Sequence, residues 1–204
     1  MTRFDVLVGI EIAEATSSCL DTYASIPSRL MVREVFDVTA DEANERGPVL
    51  IRRRVSQPFL KDYDLPSSSH PSRWASRFDV THWGFLIARV AGEDAGRAAI
   101  AWRSPGVDMI AEPGTAVLWD IRVAPEAQRR GVGRALFTSA VKWATGRGAK
   151  RLKIETQNVN VPACEFYASC GCELRAVNRD VYDEYPEEIQ LLWYKELEPQ
   201  DLTG

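Results

Sequence analysis

Between Gln128 and Ala135 the chain reads Gln-Arg-Arg-Gly-Val-Gly-Arg-Ala, with three arginines and two glycines in eight residues. Such a stretch suits an anion. Glycine lets backbone N–H groups come close to a phosphate, and guanidinium groups add charge and planar pairs of donors. The geometry required is strand, turn and helix, because a helix N-terminus aims unpaired N–H groups and a positive dipole end at the ligand. The flanking sequence predicts that order. Val117-Leu118-Trp119-Asp120-Ile121-Arg122-Val123 alternates, which puts Val117, Trp119, Ile121 and Val123 on one face of a strand. Leu136, Ala140, Val141 and Ala144 then recur at helical spacing until Gly146 and Gly148 stop the helix. A diphosphate-bearing cofactor is the occupant this arrangement suits. The stretch is not a dinucleotide motif, lacking the third glycine, nor a triphosphate loop, since no Gly-Lys-Ser/Thr follows.

The elements downstream extend the pattern. Arg151-Leu152-Lys153-Ile154-Glu155-Thr156 reads as a second strand, giving a β-α-β unit with parallel strands and a right-handed connection. A short helix is predicted from Asn160 to Gly171, with Asn160 as cap, Pro162 in the first turn and Gly171 at the stop.

With these residues in view, the chain resembles the GNAT superfamily of N-acetyltransferases. The superfamily's acyl-CoA loop, Gln/Arg-x-x-Gly-x-Gly/Ala, is matched by Gln128, Gly131 and Gly133, or by Arg130 and Gly131 with a shifted start. Its second signature, Asn-x-x-Ala-x-x-Phe-Tyr-x-x-x-Gly, is matched by Asn160, Ala163, Phe166, Tyr167 and Gly171. The two occur in the same order and spacing and cover Val117 to about Cys172. The chain is more narrowly similar to streptothricin acetyltransferases through Glu155-Thr156-Gln157-Asn158, Ala163-Cys164, Phe166-Tyr167, Cys170-Gly171, Trp193-Tyr194 and Pro58-Phe59-Leu60-Lys61-Asp62-Tyr63. The N-terminal third departs from that group. The implied fold is α/β, a GNAT-type mixed, mostly antiparallel sheet with helices on both faces and a central β-α-β acyl-CoA unit. The implied activity is acetyl transfer from acetyl-CoA to an amine of a small cationic substrate, streptothricin being one. The alternatives are a protein N-terminal or lysine acetyltransferase and a non-catalytic acyl-CoA-binding domain.

Acetyl transfer needs a polarised thioester carbonyl, an acceptor amine that has lost a proton, and a proton or other stabilisation for the departing thiolate. The resemblance implies that the Asp120–Val123 strand, including Arg122, meets the thioester and pantetheine, with Ile121 and Val123 acting through their main chains. It assigns the diphosphate to Gln128, Arg129, Arg130, Gly131, Val132, Gly133, Arg134 and Ala135. Asn160, Ala163, Phe166 and Tyr167 join the cofactor side. Tyr167 is the candidate acid, since a phenol with a pKa of about 10 is protonated at neutral pH and can donate to a thiolate. Asp120 and Glu155 are candidate base or substrate-binding groups, both at mid-strand, where an unpaired carboxylate is costly to bury. A plain salt bridge competes with each reading, from Asp120 to Arg122 and from Glu155 to Lys153, two residues away on the same face. The acidic run Tyr182 to Glu188, with Tyr182, Asp183 and Glu184 as the candidate substrate contacts, offers carboxylates and two aromatic faces to a cationic amine. A solvated loop is the ordinary alternative there.

Composition bounds these readings. The 204 residues, 45% of them hydrophobic, suffice for one domain spanning 1–204, with a core at about 75–197. The net charge of −4 argues against a nucleic-acid partner and favours a cationic small molecule. No apolar run has the length of a membrane span and Met1-Thr2-Arg3-Phe4-Asp5 does not open a secretory signal, so the expected compartment is the cytoplasm and the membrane is no partner. Homodimerisation is left open. Cys19, Cys164, Cys170 and Cys172 are expected as reduced thiols, and no metal is expected, with only His70 and His82 to assist the cysteines. Trp83–Val90 and Arg97–Trp102 read as a hairpin joined by Ala91–Gly96. Ile189–Lys195 reads as a late strand, Leu30–Val38 as an early one with helical character before it, and Ser67–Ser72 as a loop.

Overall fold

The computed structural model describes residues 3–7, 9–39, 48–65 and 70–198, with side chains from residue 9 onward. Ser67, Ser68 and Ser69 of the expected loop lie outside them. In chain order the elements are β1 (Arg3–Leu7), β2 (Ile10–Ala15), α1 (Leu20–Tyr23), β3 (Arg29–Thr39), β4 (Val49–Asp62), α2 (Trp74–Arg77), β5 (Gly84–Val90), β6 (Glu93–Ala101) and β7 (Thr115–Val123). They continue with α3 (Val132–Gly146), β8 (Arg151–Gln157), α4 (Val161–Ser169), β9 (Glu173–Asn178) and β10 (Gln190–Glu196). The fold is mixed α/β, and each strand pair whose register is resolved is antiparallel. Among the described residues no helix is long and apolar enough to cross a membrane.

Contacts divide the chain into two compact units. The first comprises Met1–Ser28, Tyr63–Leu152 and Glu196–Gly204. Its strands run in the order β1-β2-β5-β6-β7. The turn between β5 and β6 is shorter than the expected hexapeptide. Ala91 and Gly92 take φ of 53° and 87°, and this pair of left-handed residues closes a two-residue hairpin, so Glu93 to Gly96 pair as strand. Helix α3 seats against this sheet through two glycines. A Cβ on Gly84 would lie 2.3 Å from the Trp143 indole, and one on Gly96 would lie 2.9 Å from Leu136 and 3.0 Å from Val132. A side chain at Gly84 would displace the Trp143 ring from the sheet, and one at Gly96 would force Leu136 and Val132 to shift.

Strand β7 departs from the alternation read in the sequence. Asp120 pairs with Ala99 and Leu118 with Ile100, which leaves Trp119 as the extra residue of a bulge. Val117 and Trp119 both pack on the cluster of Leu20, Tyr23, Trp74, Trp83 and Phe85. Beyond the bulge the face changes over, and Asp120 and Arg122 meet Tyr23. The expected common face of Val117, Trp119, Ile121 and Val123 is therefore broken at Trp119.

The second unit comprises Arg29–Asp62 and Lys153–Lys195. It holds the hairpin β3–β4 and the strands ordered β8-β10-β9. Leu30–Val38 is a strand as expected, whereas β4 and β9 are additional to the sequence reading. Asn158, 6% exposed, joins the hairpin to this sheet. Its carbonyl accepts the Phe36 N–H and its amide donates to the Phe36 carbonyl, while its Oδ1 accepts the Ile189 N–H. A buried amide with these partners satisfied orders both segments at once. Val159 packs with Val32 and Val35 beside it.

Candidate active site

In the first unit, the stretch from Gln128 to Ala135 forms the approach to helix α3. Arg129 and Gly131 take φ of 62° and 88°. Gly131 is the N-cap, and a β-carbon there would be strained by that angle although its nearest neighbour, Ile10, would lie at an ordinary 3.8 Å. As a glycine, the cap has no side-chain oxygen to offer the first-turn N–H groups. Arg129 and Arg130 are exposed and make no ion pair among the described residues. Arg134 is exposed as well, while Val132 and Ala135 are buried and anchor the helix. Gln128 turns back, its Nε2 donating to the Val123 carbonyl at 3.3 Å and pinning the loop to the end of β7. A glycine cap at positive φ, first-turn donors and exposed guanidinium groups together fit a diphosphate.

Asp120 and Arg122 form the salt bridge that competed with a catalytic reading of Asp120. The guanidinium donates to both carboxylate oxygens, at 2.9 and 2.8 Å. It also donates to the Ile26 carbonyl at 2.9 Å and reaches Asp64 at 3.2 Å. Tyr23 donates its phenol to Asp120 at 3.1 Å and places its ring 5.0 Å from the guanidinium. The Arg122 side chain is 3% exposed. Burial disfavours its charge, yet the hydrogen bonds and negative charge of Asp120 outweigh that and raise its pKa. Burial and the Asp120 charge hold the Tyr23 phenol well above the usual tyrosine range. The Arg122 side chain is thus committed to the interior, leaving only its main chain to meet a cofactor. Ile121 and Val123 remain partly exposed on the same strand.

In the second unit, Asn160 caps α4 by accepting the Ala163 N–H on Oδ1 at 3.2 Å. Tyr167 is buried at 5% exposure, with the Phe166 ring 5.2 Å away and edge-on. Its place is set at the helix end, where Gly171 takes φ of 74° and the N–H groups of Cys170 and Cys172 both donate to the Tyr167 carbonyl. Cys164 fixes the inner face, lying 3.3 Å from the Thr156 hydroxyl, which accepts the Trp193 indole N–H at 2.9 Å. Burial pushes the Cys164 thiol up to about 11, so it is an inert packing group.

Glu155 does not pair with Lys153, whose ammonium instead lies over the Tyr194 ring at 5.5 Å. Glu155 accepts the Tyr182 phenol at 2.7 Å on one oxygen, with the Gln157 amide at 3.5 Å, and the Gln190 amide at 2.8 Å on the other. These partners are all neutral. Burial and the Glu155 charge raise the Tyr182 pKa far beyond its ordinary value. The acidic run is not uniformly solvated. Asp183 and Glu184 are exposed, whereas Tyr182 turns inward and Glu188 is buried against Lys61 at 2.6 Å. Tyr23, Asp64, Gln190 and Lys61 are additional to the candidates read from sequence. Lys61 and Gln157 stand in stretches shared with the streptothricin acetyltransferases, Glu188 ends the acidic run and Gln190 lies in the predicted late strand, whereas Tyr23 and Asp64 carried no local signal. Among the described residues no group of three or more His, Cys, Asp or Glu side chains is placed to hold a metal.

Comparison with known proteins adds to this geometry. The chain is 30% identical over 186 residues to a streptothricin acetyltransferase of Escherichia coli, covering 90% of this chain and 92% of that protein. It is 39% identical over 83 residues to streptothricin acetyltransferase A of Bacillus subtilis, a match spanning about half (48%) of that protein. The crystal structure of nourseothricin acetyltransferase superposes with a TM-score of 0.71 at 25% identity, covering 94% of this chain and 100% of that one. The acetyltransferase (GNAT) family pattern matches residues 52–172, more than half of the sequence, and the chain belongs to that family of N-acetyltransferases.

Proposed function

We propose that this protein transfers the acetyl group of acetyl-CoA to an amine of a small, multiply cationic acceptor of the streptothricin type, as a single acetyltransferase domain over 1–204 in the cytoplasm. The observation that carries the acceptor class is Glu155, a half-buried carboxylate held by three neutral donors and by no cation among the described residues. Its charge is oriented but uncompensated, which suits an ammonium. The streptothricin acetyltransferases matched over most of this chain support the same class.

Acetyl-CoA, the donor used by the family, supplies an activated acetyl group. In this reading the Gln128–Ala135 loop holds the diphosphate through the α3 N-terminus, Arg129, Arg130 and Arg134, while Gln128 keeps the loop on β7. The main chain at Ile121, Arg122 and Val123 receives pantetheine and the thioester, and Asn160, Ala163 and Phe166 shape the cofactor side of α4. Tyr167 gives its phenolic proton to the departing thiolate. Glu155 draws in and orients the ammonium, and water takes the proton that frees the amine for attack. Asp120 holds Arg122 and with it the strand that presents those main-chain groups. Tyr182 fixes Glu155, and the exposed Asp183 and Glu184 attract cations from solution.

The test is incubation with acetyl-CoA and a panel of streptothricin, polyamines, aminoglycosides and peptides, reading free thiol and mass shift together. Acetylated streptothricin with stoichiometric thiol release is the expected result. Turnover of an N-terminal peptide alone would move the protein to protein acetylation, and tight CoA binding without turnover would make it a sensor.

A further inference from the structure

Beside Glu155 the second unit carries another carboxylate and a cation of its own. Glu188 and Lys61 form an ion pair at 2.6 Å, and their side chains are only 8% and 11% exposed. The Lys61 ammonium also stands 3.5 Å above the centre of the Tyr185 ring. A carboxylate on one side and an aromatic face on another make a cage for a primary ammonium. The cage lies on the segment that reaches Glu155: Tyr182 donates its phenol to Glu155 at 2.7 Å, the Tyr185 N–H donates to the Tyr182 carbonyl, and the Glu188 N–H donates to the Tyr185 carbonyl, both at 2.9 Å. Tyr182 and the two turns that follow it thus connect two carboxylates, Glu155 and Glu188, and the chain itself provides one ammonium.

We propose that Lys61 is a specificity-determining residue that fills an ammonium subsite built from Glu188 and Tyr185, so that Glu155 alone is left to receive an ammonium of the acceptor. The proposal rests on the reading that Glu155 faces a cationic acceptor. Lys61 reaches the cage from β4, far along the chain from the segment it pairs with, and a buried, hydrogen-bonded pair with an aromatic lid is not readily displaced by a dissolved amine. The filled cage restricts recognition to one ammonium in this region. Emptied, it would present a buried carboxylate and a free aromatic face, and a diammonium acceptor could then bind at both places.

Lys61→Met tests this, because methionine keeps most of the volume of the stem and removes the charge. The ratio of kcat/KM for 1,5-diaminopentane to that for pentylamine should rise about tenfold over wild type, the size of one charge-assisted hydrogen bond. Glu188→Gln added to Lys61→Met should return the ratio to the wild-type value, and Lys61→Arg should leave it there from the outset. Calorimetric titration of the same variants with the two amines, without acetyl-CoA, separates the subsite from the transfer reaction. Tighter diamine binding by Lys61→Met holds the subsite even if no amine is ever acetylated. An unchanged diamine-to-monoamine ratio in both assays, with Lys61→Met folded by circular dichroism, would overturn the proposal. Should Lys61→Met fail to fold, Glu188→Gln with Lys61→Met, which removes both charges, is compared with Glu188→Gln alone. Equal diamine preference in these two is expected, and a gain on losing Lys61 without Glu188 would overturn the role given to that carboxylate.

Discussion

Each unit of the molecule holds a strand carboxylate that accepts a tyrosine phenol, and the two differ in what else surrounds it. Asp120 takes the Tyr23 hydroxyl and both prongs of the buried Arg122 guanidinium, which also reaches Asp64 and the Ile26 carbonyl. Glu155 takes the Tyr182 hydroxyl and side-chain amides. The first carboxylate is neutralised, and its cost of burial is offset within the fold. The second is oriented and keeps its charge. Sequence gave both the same two candidate roles, yet the first fits stability and the second fits recognition.

The largest effect should come from the helix beside the second carboxylate. Tyr167→Phe is expected to lower kcat by roughly 10²–10⁴-fold while leaving the KM for acetyl-CoA almost unchanged, as measured by steady-state thiol release. Near-normal turnover with chemistry rate-limiting would reduce Tyr167 to packing and take proton donation away from the second unit. In the first unit, Gly131→Asp sets a carboxylate and a β-carbon at a φ of 88° in the loop proposed for the diphosphate. Acetyl-CoA affinity should fall at least a hundredfold by calorimetry, from αL strain of about 1–2 kcal/mol and the lost anion site together. Arg130→Ala should cost about tenfold. Unchanged affinity in Gly131→Asp would remove the loop from the cofactor site.

Stability separates the two carboxylates next. Asp120→Asn leaves Arg122 buried with only Asp64 as a charged partner and should destabilise the protein by about 3 kcal/mol in urea, the lower end for a broken buried pair. Glu155→Gln removes no such pairing and should stay within about 1 kcal/mol of wild type. Equal losses would erase the distinction. The smallest effect concerns Tyr182→Phe, which deletes one donor to Glu155 and should raise the acceptor KM a few-fold. In an absorbance titration the same variant should lose no ionisation near pH 10, because burial and the adjacent carboxylate keep the Tyr182 phenol protonated above that range.

The parts of this account that were legible in the sequence are those whose contacts are local. The α3 approach from Gln128 to Ala135, the Asn160 cap and the Gly171 stop each depend on residues within a few positions, so composition and spacing reveal them. The bulge at Trp119 was hidden because alternation continues through it in sequence while the partner strand supplies one residue fewer. Strand β4 was hidden because Arg52, Arg53 and Arg54 interrupt any apolar period, and they are exposed and pair with Glu34, Asp37 and Glu165 in space. Asp120 with Tyr23 and Asp64, and Lys61 with Glu188, join positions remote along the chain that no periodicity connects. The competing salt bridges were both chemically sound from sequence, and only tertiary placement of Arg122 and Lys153 distinguished them.

The central claim is that Glu155 recognises a cationic acceptor, whereas Asp120 serves the fold. The most direct test is the acceptor KM for streptothricin in Glu155→Gln against wild type, by thiol release at two ionic strengths with acetyl-CoA saturating. The expected result is a KM raised about tenfold with kcat nearly constant, and a KM that climbs with salt in wild type but much less in the variant. An unchanged KM in Glu155→Gln, or the same salt dependence in both proteins, would contradict it.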